Sequence, residues 1–198
     1  MNKTSDALIW FGSQTGRALR VARSLHRALM QQGVQAKLVC GNRFDSDNSL
    51  EVLRQEPRCP VIVVTSTFGH GHAPDNATRL EDFLVWSALQ GDAETPESSA
   101  YSSAANSENN DDVPLAWNEV SALLNERRFA VMTLGHSMWP SFCAFGRLCD
   151  ARLHGLGAQR MLPLCELDAV HTTKQNEMQQ LEWQNQVCRM FPTSPAVS

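Results

Sequence analysis

The sequence predicts a doubly wound α/β domain, a parallel β-sheet covered by helices on both faces. Three observations predict it. Short apolar runs at 7–11, 60–65 and 129–134 lack the in-out alternation of a half-exposed strand, which marks strands buried on both faces. Amphipathic helical stretches separate these runs, and strand-helix alternation builds a parallel sheet with right-handed crossovers. Each run ends in a loop rich in Gly, Ser, Thr or His. In such sheets, ligands sit beyond the carboxyl ends of the strands.

The elements follow in order. After the strand at 7–11, Ala18, Val21, Ala22, Leu25, Ala28 and Leu29 form the i, i+3, i+4, i+7 stripe of a helix, with Gly33 just beyond it as a stop. Residues 35–40 read as a weaker second strand. After the strand at 60–65, Ala77, Leu80, Phe83 and Leu84 mark a helix over 75–89. The strand at 129–134 is followed by a helix over 142–156, which ends at Gly155 and Gly157. A weaker strand spans 159–164, and a last helix over 175–191 carries Met178, Leu181, Val187, Cys188 and Phe191. Five strands fit a chain of 198 residues, the size of one large domain.

Composition and charge exclude several classes. No apolar run approaches the ~20 residues of a membrane span, and the run at 7–11 is too short for a signal peptide. Six cysteines show no CxxC pair and no zinc-ligand spacing. They read as reduced thiols, and the expected location is cytoplasmic. The net charge of −4 leaves no basic footprint for nucleic acid. Six of the 21 acids lie between Gly91 and Trp117, a stretch without Lys or Arg. The rest of the chain is close to neutral. Residues 91–113 are rich in Ser, Ala, Asn and acids, so they read as a mobile insertion or a plain surface loop. The expected organisation is one domain over 7–191 with short tails at 1–6 and 192–198.

Three loops carry the chemistry. The first, Gly12-Ser13-Gln14-Thr15-Gly16-Arg17-Ala18, places hydroxyls and a glycine at a helix N-terminus, a cradle for phosphate built mostly from neutral donors. It lacks the GK[ST] of a Walker A loop and the GxGxxG of a dinucleotide fold. The second follows the strand at 60–65 and runs Ser66-Thr67-Phe68-Gly69-His70-Gly71-His72. The third is Leu134-Gly135-His136-Ser137-Met138-Trp139-Pro140. Phe68 and Trp139 come from neighbouring loops and can sandwich a planar ring system. His70, His72 and Asp75 also have the residue types of a metal site, but the loop has the better reading as a ring-binding loop. Cys143 has no paired base that would make it a nucleophile. Trp10, Trp86 and Trp183 read as core or partly buried helix residues.

These motifs, GSQTG, then STFGHG with PDNA, then the tryptophan loop running into FCAFG, and finally LGAQR, resemble the FMN-binding flavodoxin-like module of the diflavin reductases. That family includes cytochrome P450 reductase, the sulfite reductase flavoprotein and the reductase half of nitric oxide synthase. The look is nearest to the nitric oxide synthase module. The resemblance covers roughly 7–191 and implies a three-layer sandwich with a five-stranded parallel sheet of order 2-1-3-4-5. It implies that Ser13, Gln14, Thr15, Gly16, Arg17 and Ala18 wrap the FMN phosphate. Ser66, Thr67, Phe68 and Gly69 would line one side of the isoalloxazine. Leu134, Gly135, His136, Trp139, Phe142 and Cys143 would line the other, with Trp139 stacking where the family usually has Tyr. The implied role is one-electron transfer from an FAD/NADPH reductase module, in the same chain or a separate one, to a haem or other metal acceptor.

The departures from the family pattern are specific. The second acid expected after the last strand is missing, because Leu167-Asp168-Ala169 stands there, and Asp168 is the remaining candidate for a flavin contact. Histidines at 70, 72 and 136 replace acids or small polar residues. Their positive charge would favour reduced flavin, giving a higher and more pH-dependent potential. The acidic insertion occupies the place of the autoinhibitory segment in calcium-controlled nitric oxide synthases, but carries the opposite charge and would steer a basic partner. Two alternatives stay open: a free-standing flavodoxin serving a metalloenzyme, and a flavodoxin-like interaction scaffold without FMN.

Overall fold

A computed structural model describes residues 5–91 and 115–191. The chain runs β1 (Ala7–Gly12), α1 (Arg17–Gln31), β2 (Ala36–Cys40), α2 (Asp47–Gln55), β3 (Val61–Ser66), α3 (Thr78–Gly91), α4 (Leu115–Leu124), β4 (Arg128–Gly135), α5 (Ala144–Gly155), β5 (Gln159–Arg160), β6 (Cys165–Asp168) and α6 (Thr173–Arg189). The sheet is parallel throughout, in the order β2-β1-β3-β4-β5, with β6 also paired to β4. This is the flavodoxin-like topology that the motifs imply. The acidic stretch expected as an insertion lies, from residue 92 to 114, outside the described residues.

Successive strand residues point to opposite faces, and each face has its own core. Leu8, Trp10, Val61, Val63, Phe129 and Val131 pack with Leu53 of α2, Phe83 of α3, Leu124 of α4 and Phe145 of α5. Ala7, Ile9, Ile62, Val64, Ala130 and Met132 pack with Leu25 of α1 and Val187 of α6. The central strands therefore have no polar face, which is why their sequences read as unbroken apolar runs. Trp10 and Trp183 are buried in opposite layers, and Trp86 packs against Phe83 and Trp117.

The fifth strand differs from expectation. In place of one strand over 159–164, β5 and β6 are short pieces on either side of residues 161–164, both paired to β4. Pro163 has no N–H to give to a ladder, which suits an interrupted edge. Helices α2 and α4, nine and ten residues long, are additional to the expected elements, and both cover the sheet on the Trp10 side. Gly33, at φ +83°, ends α1 in a left-handed turn in which its N–H donates to Met30 O and Val34 N–H donates to Leu29 O. Among the described residues, no helix is long and apolar enough to cross a membrane.

Candidate functional site

Three loops leave the carboxyl ends of β1, β3 and β4 and enclose one open cleft of about 730 Å³. That volume is within the range of small-ligand and cofactor sites. Close backbone approach builds the first loop. A Cβ on Gly12 would sit 2.6 Å from Thr65 Oγ1 and 2.8 Å from the Ala77 methyl, so only glycine lets β1 end against β3 and the turn at Asp75–Ala77. Gly16, at φ +83°, then turns the chain into α1. The Ser13 N–H donates to Asn76 Oδ1 at 2.8 Å. The Gln14 amide donates to Asp75 Oδ2 at 2.8 Å, and the Asp75 N–H donates back to Gln14 Oε1 at 3.0 Å. The loop is thus tied to the segment after β3. The first-turn N–H groups of α1 have no partner within the helix. The Ser13 hydroxyl is shielded from solvent and unpartnered.

The second loop is a tight reversal. The Phe68 N–H donates to His72 O at 2.9 Å, and the His72 N–H donates to Phe68 O at 3.0 Å. Gly69 and Gly71 both have positive φ. This leaves the Phe68 ring 47% exposed on the cleft. Thr67 locks the loop to the third one: its N–H donates to Leu134 O, and its hydroxyl accepts from Phe145 N–H. His72 turns away from the cleft to Glu81, at 3.3 Å, while His70 lines it. Among the described residues, no three His, Cys, Asp or Glu side chains gather as a metal site.

The third loop needs Gly135, whose Cβ would meet the Phe142 ring at 2.7 Å and Cys143 Sγ at 2.8 Å. Trp139 stands 67% exposed at the rim. His136 lines the cleft with Nδ1 shielded and unpartnered. Cys143 is buried, and that burial pushes its thiol up to about 12, so it is a neutral wall atom. Asp168 supports this loop from behind. Its Oδ1 accepts from Ser137 N–H and Val170 N–H, each at 3.0 Å; hydrogen bonding by the Ser137 side chain first, and then by the Val170 N–H, lowers its carboxyl to about 2.

The sequence-derived residues divide by placement. Gln14, Thr15 and Arg17 line the cleft from the first loop, and Ser66, Thr67, Phe68 and Gly69 from the second. Leu134, Gly135, His136, Trp139, Phe142 and Cys143 line it from the third. Ser13 and Gly16 shape the phosphate-type loop just behind this surface. The Ala18 side chain is buried in the core beneath α1, so only its backbone is placed to serve the loop. Asp168 faces Ser137, and the neighbouring Ala169 takes the cleft position. Pro140 and Ser141 also line the cleft and were not singled out. Their position after Trp139 was the only signal for them.

The residues present fit a phosphorylated ring cofactor. One end has a hydroxyl without a partner beside free helix amides, and the other has two exposed aromatic rings on facing loops. Fold and site together define a flavodoxin-fold domain with a ligand cleft at its strand ends. A family model described as flavodoxin matches residues 9–183, and the chain belongs to the flavodoxin family. It is 31% identical to nitric oxide synthase 3 of Sus scrofa over 180 residues, which is 85% of this chain and 14% of that protein. It is 30% identical to the sulfite reductase [NADPH] flavoprotein alpha-component of Shewanella sp. (strain ANA-3) over 160 residues, 81% of this chain and 20% of that one. The chain thus spans a seventh to a fifth of the length of these relatives. Among solved structures, a cysteine mutant of flavodoxin from Pseudomonas aeruginosa superposes with a TM-score of 0.61 at 23% identity, covering 92% of this chain and 96% of that one. Oxidised flavodoxin 1 from Bacillus cereus gives 0.60 at 14% identity, covering 94% and 99%. At these identities the two structures attest the fold.

Proposed function

We propose that this domain binds one FMN and works as a one-electron carrier between an FAD/NADPH reductase module and a haem or other metal acceptor. The observation that carries this reading is the convergence of a phosphate-type loop and two aromatic-bearing loops on one cleft. FMN, when bound, supplies the ability to accept and release electrons singly. The chain's own residues hold and shield it. Ser13 and Thr15 hydroxyls, with the first-turn amides of α1 and the Arg17 guanidinium, suit the phosphate. Phe68 and Trp139, one on each loop, suit the two faces of the ring. Gly69 and Gly135 let backbone come close to the ring edge, and the neutral Cys143 thiol adds no charge beside it. The relatives in nitric oxide synthase and the sulfite reductase flavoprotein support a diflavin setting for the electron donor.

The test is a visible spectrum of the purified protein, followed by FMN titration with flavin fluorescence as the readout. Quenched, saturable binding at or below about 1 µM is expected. No binding at about 50 µM FMN would overturn the reading and turn attention to a scaffold role.

A further inference from the structure

Helix α1 turns an unpaired basic face to solvent. Arg17, Arg20, Arg23 and Arg27 are all exposed and stand at i, i+3, i+6 and i+10. At 3.6 residues per turn they fall within about 120° of the helix circumference and form a row about 15 Å long. The row lies opposite Ala18, Val21, Ala22, Leu25 and Leu29, which are buried. No acid occurs in α1. Among the described residues, none of the four guanidinium groups forms a hydrogen bond or ion pair. Where α1 meets α6, Arg17 and Arg20 line a small cavity with His171 and Asn176, and Glu177 is the one acid on its wall. Helix stability does not account for this pattern. Like charges three and four residues apart repel, and cations in the first turn oppose the helix dipole. Arg17 has the large cleft to serve, but Arg20, Arg23 and Arg27 do not line it. A row of unpaired charges that weakens its own helix and faces solvent calls for an anionic surface. The chain as a whole carries −4, so a uniformly anionic surface, such as duplex nucleic acid or an acidic bilayer, meets repulsion beyond α1. Of the large apolar residues of α1, Met30 alone is exposed, past the end of the row, so the face offers lipid little to bury. A folded protein whose carboxylates form a confined patch matches it. Arg17 belongs to both the row and the cleft wall, so a partner seated on the row borders the cleft.

We propose that the exposed face of α1 docks the acidic face of a separate haem protein that accepts electrons from this domain. The surface for an acidic partner stands on the arginines alone; the role of its occupant as electron acceptor rests on the flavin reading above. A donor module tethered in the same chain is held at about millimolar effective concentration and needs little steering. A separate acceptor arrives by diffusion, and complementary charge raises its encounter rate about 10- to 1,000-fold at low salt. The row therefore suits the diffusing acceptor.

The experiment compares the full chain with the triple variant Arg20→Gln/Arg23→Gln/Arg27→Gln, which leaves Arg17 and the cleft intact. The probes are a small acidic b-type cytochrome and a small basic c-type cytochrome. Chemical shifts of the chain without flavin report binding. Stopped-flow mixing of each ferric cytochrome with the FMN-loaded chain, reduced beforehand by stoichiometric dithionite, reports transfer: one electron leaves the reduced flavin and converts ferric haem to ferrous. At about 10 mM salt the acidic cytochrome is expected to shift α1 resonances, and the original protein to reduce it about tenfold faster than the variant does. The difference should vanish at about 0.5 M salt. FMN affinity should be equal in the two proteins, and the basic cytochrome should react no slower with the variant. Shifts on α1 in a chain that binds no flavin would sustain the surface and defeat the carrier reading. Normal FMN binding with equal low-salt rates for the acidic cytochrome in the two proteins, or a low-salt rate for the basic cytochrome that falls in the variant, would overturn the proposal and leave the carrier reading standing. Binding to phosphatidylserine vesicles or to a DNA duplex that the variant loses, without binding of the acidic cytochrome, would overturn it in favour of those polyanions.

Discussion

The Asp168 carboxylate grips the backbone of Ser137. One oxygen accepts both the Ser137 and the Val170 N–H at 3.0 Å, so a residue at the end of β6 sets the path of the loop after β4. The loop's position, and with it His136 and Trp139, depends on that carboxylate being ionised. Its lowered carboxyl value, about 2, gives the sign. The stabilisation is fully present above the ordinary aspartate range and is lost as pH falls from about 4 through 2. Asp168→Asn should weaken FMN binding at neutral pH. It should also flatten the acid limb of stability below pH about 4, read by urea denaturation across that range. An unchanged acid limb would show that Asp168 does not hold the loop.

Phe68 and Trp139 are large, exposed and on facing loops. Each should lose most of its exposure against the flavin. Trp139→Ala and Phe68→Ala are each expected to weaken FMN binding about tenfold, from a stacking contribution of roughly 0.5–1.5 kcal/mol plus lost contact area. Both should also reduce fluorescence quenching. Full quenching in Trp139→Ala would place the ring elsewhere.

The histidines are not equivalent. His70 and His136 line the cleft, while His72 is engaged with Glu81. If positive charge near the flavin raises its potential at low pH, the effect belongs to His70 and His136. Redox titrations at pH 6 and pH 8 should show a pH dependence that falls in the His70→Gln/His136→Gln double variant and survives in His72→Gln. The same dependence in all three proteins would end the idea.

Two glycines of α5 should respond with opposite signs. A Cβ on Gly146 would lie 2.1 Å from the Thr133 Cβ, inside the contact that seats α5 on β4. Gly146→Ala should therefore cost about 1–3 kcal/mol or more by overpacking. Gly155 has nothing within 4 Å of the same position. Gly155→Ala should gain roughly 0.4–1 kcal/mol through the unfolded chain. Denaturant midpoints of the two variants decide both.

Arg127 is only 4% exposed, and burial pushes its guanidinium down from its ordinary value. It donates to the carbonyls of Leu53, Glu56, Cys59 and Leu123. It thereby joins the ends of α2 and α4 to the start of β3. Arg127→Met leaves those acceptors without their donor and should cost on the order of 3 kcal/mol. A loss below about 0.5 kcal/mol would mean that water replaces the guanidinium freely.

Legibility followed the strength of local signals. The strands β1, β3 and β4 were readable because residues buried on both faces leave an unmistakable apolar run. Helix α1 was readable because one face of it meets a core. The edge at 159–164 differs from the expected single strand, since β5 and β6 are brief and, among the described residues, each pairs only with β4. Gln14, Phe68 and Trp139 could be singled out because hydroxyl, glycine and aromatic residues gathered just after strand ends. The role of Asp168 could not be read, because its partner Ser137 is 31 residues away.

The amino-acid sequence alone determined the alternation of strands and helices, the burial of the central strands and the three loops that carry chemistry, because each depends on neighbours within a few residues. Tertiary structure decided the rest. It set which histidines face the cleft, turned Asp168 to the backbone of Ser137 and put Ala169 at the surface in its place. It also brought Arg17 and Arg20 to one cavity with His171 and Asn176. Those relations arise where crossovers bring distant segments within hydrogen-bond reach, and a linear pattern does not encode which of several polar side chains will turn toward which partner.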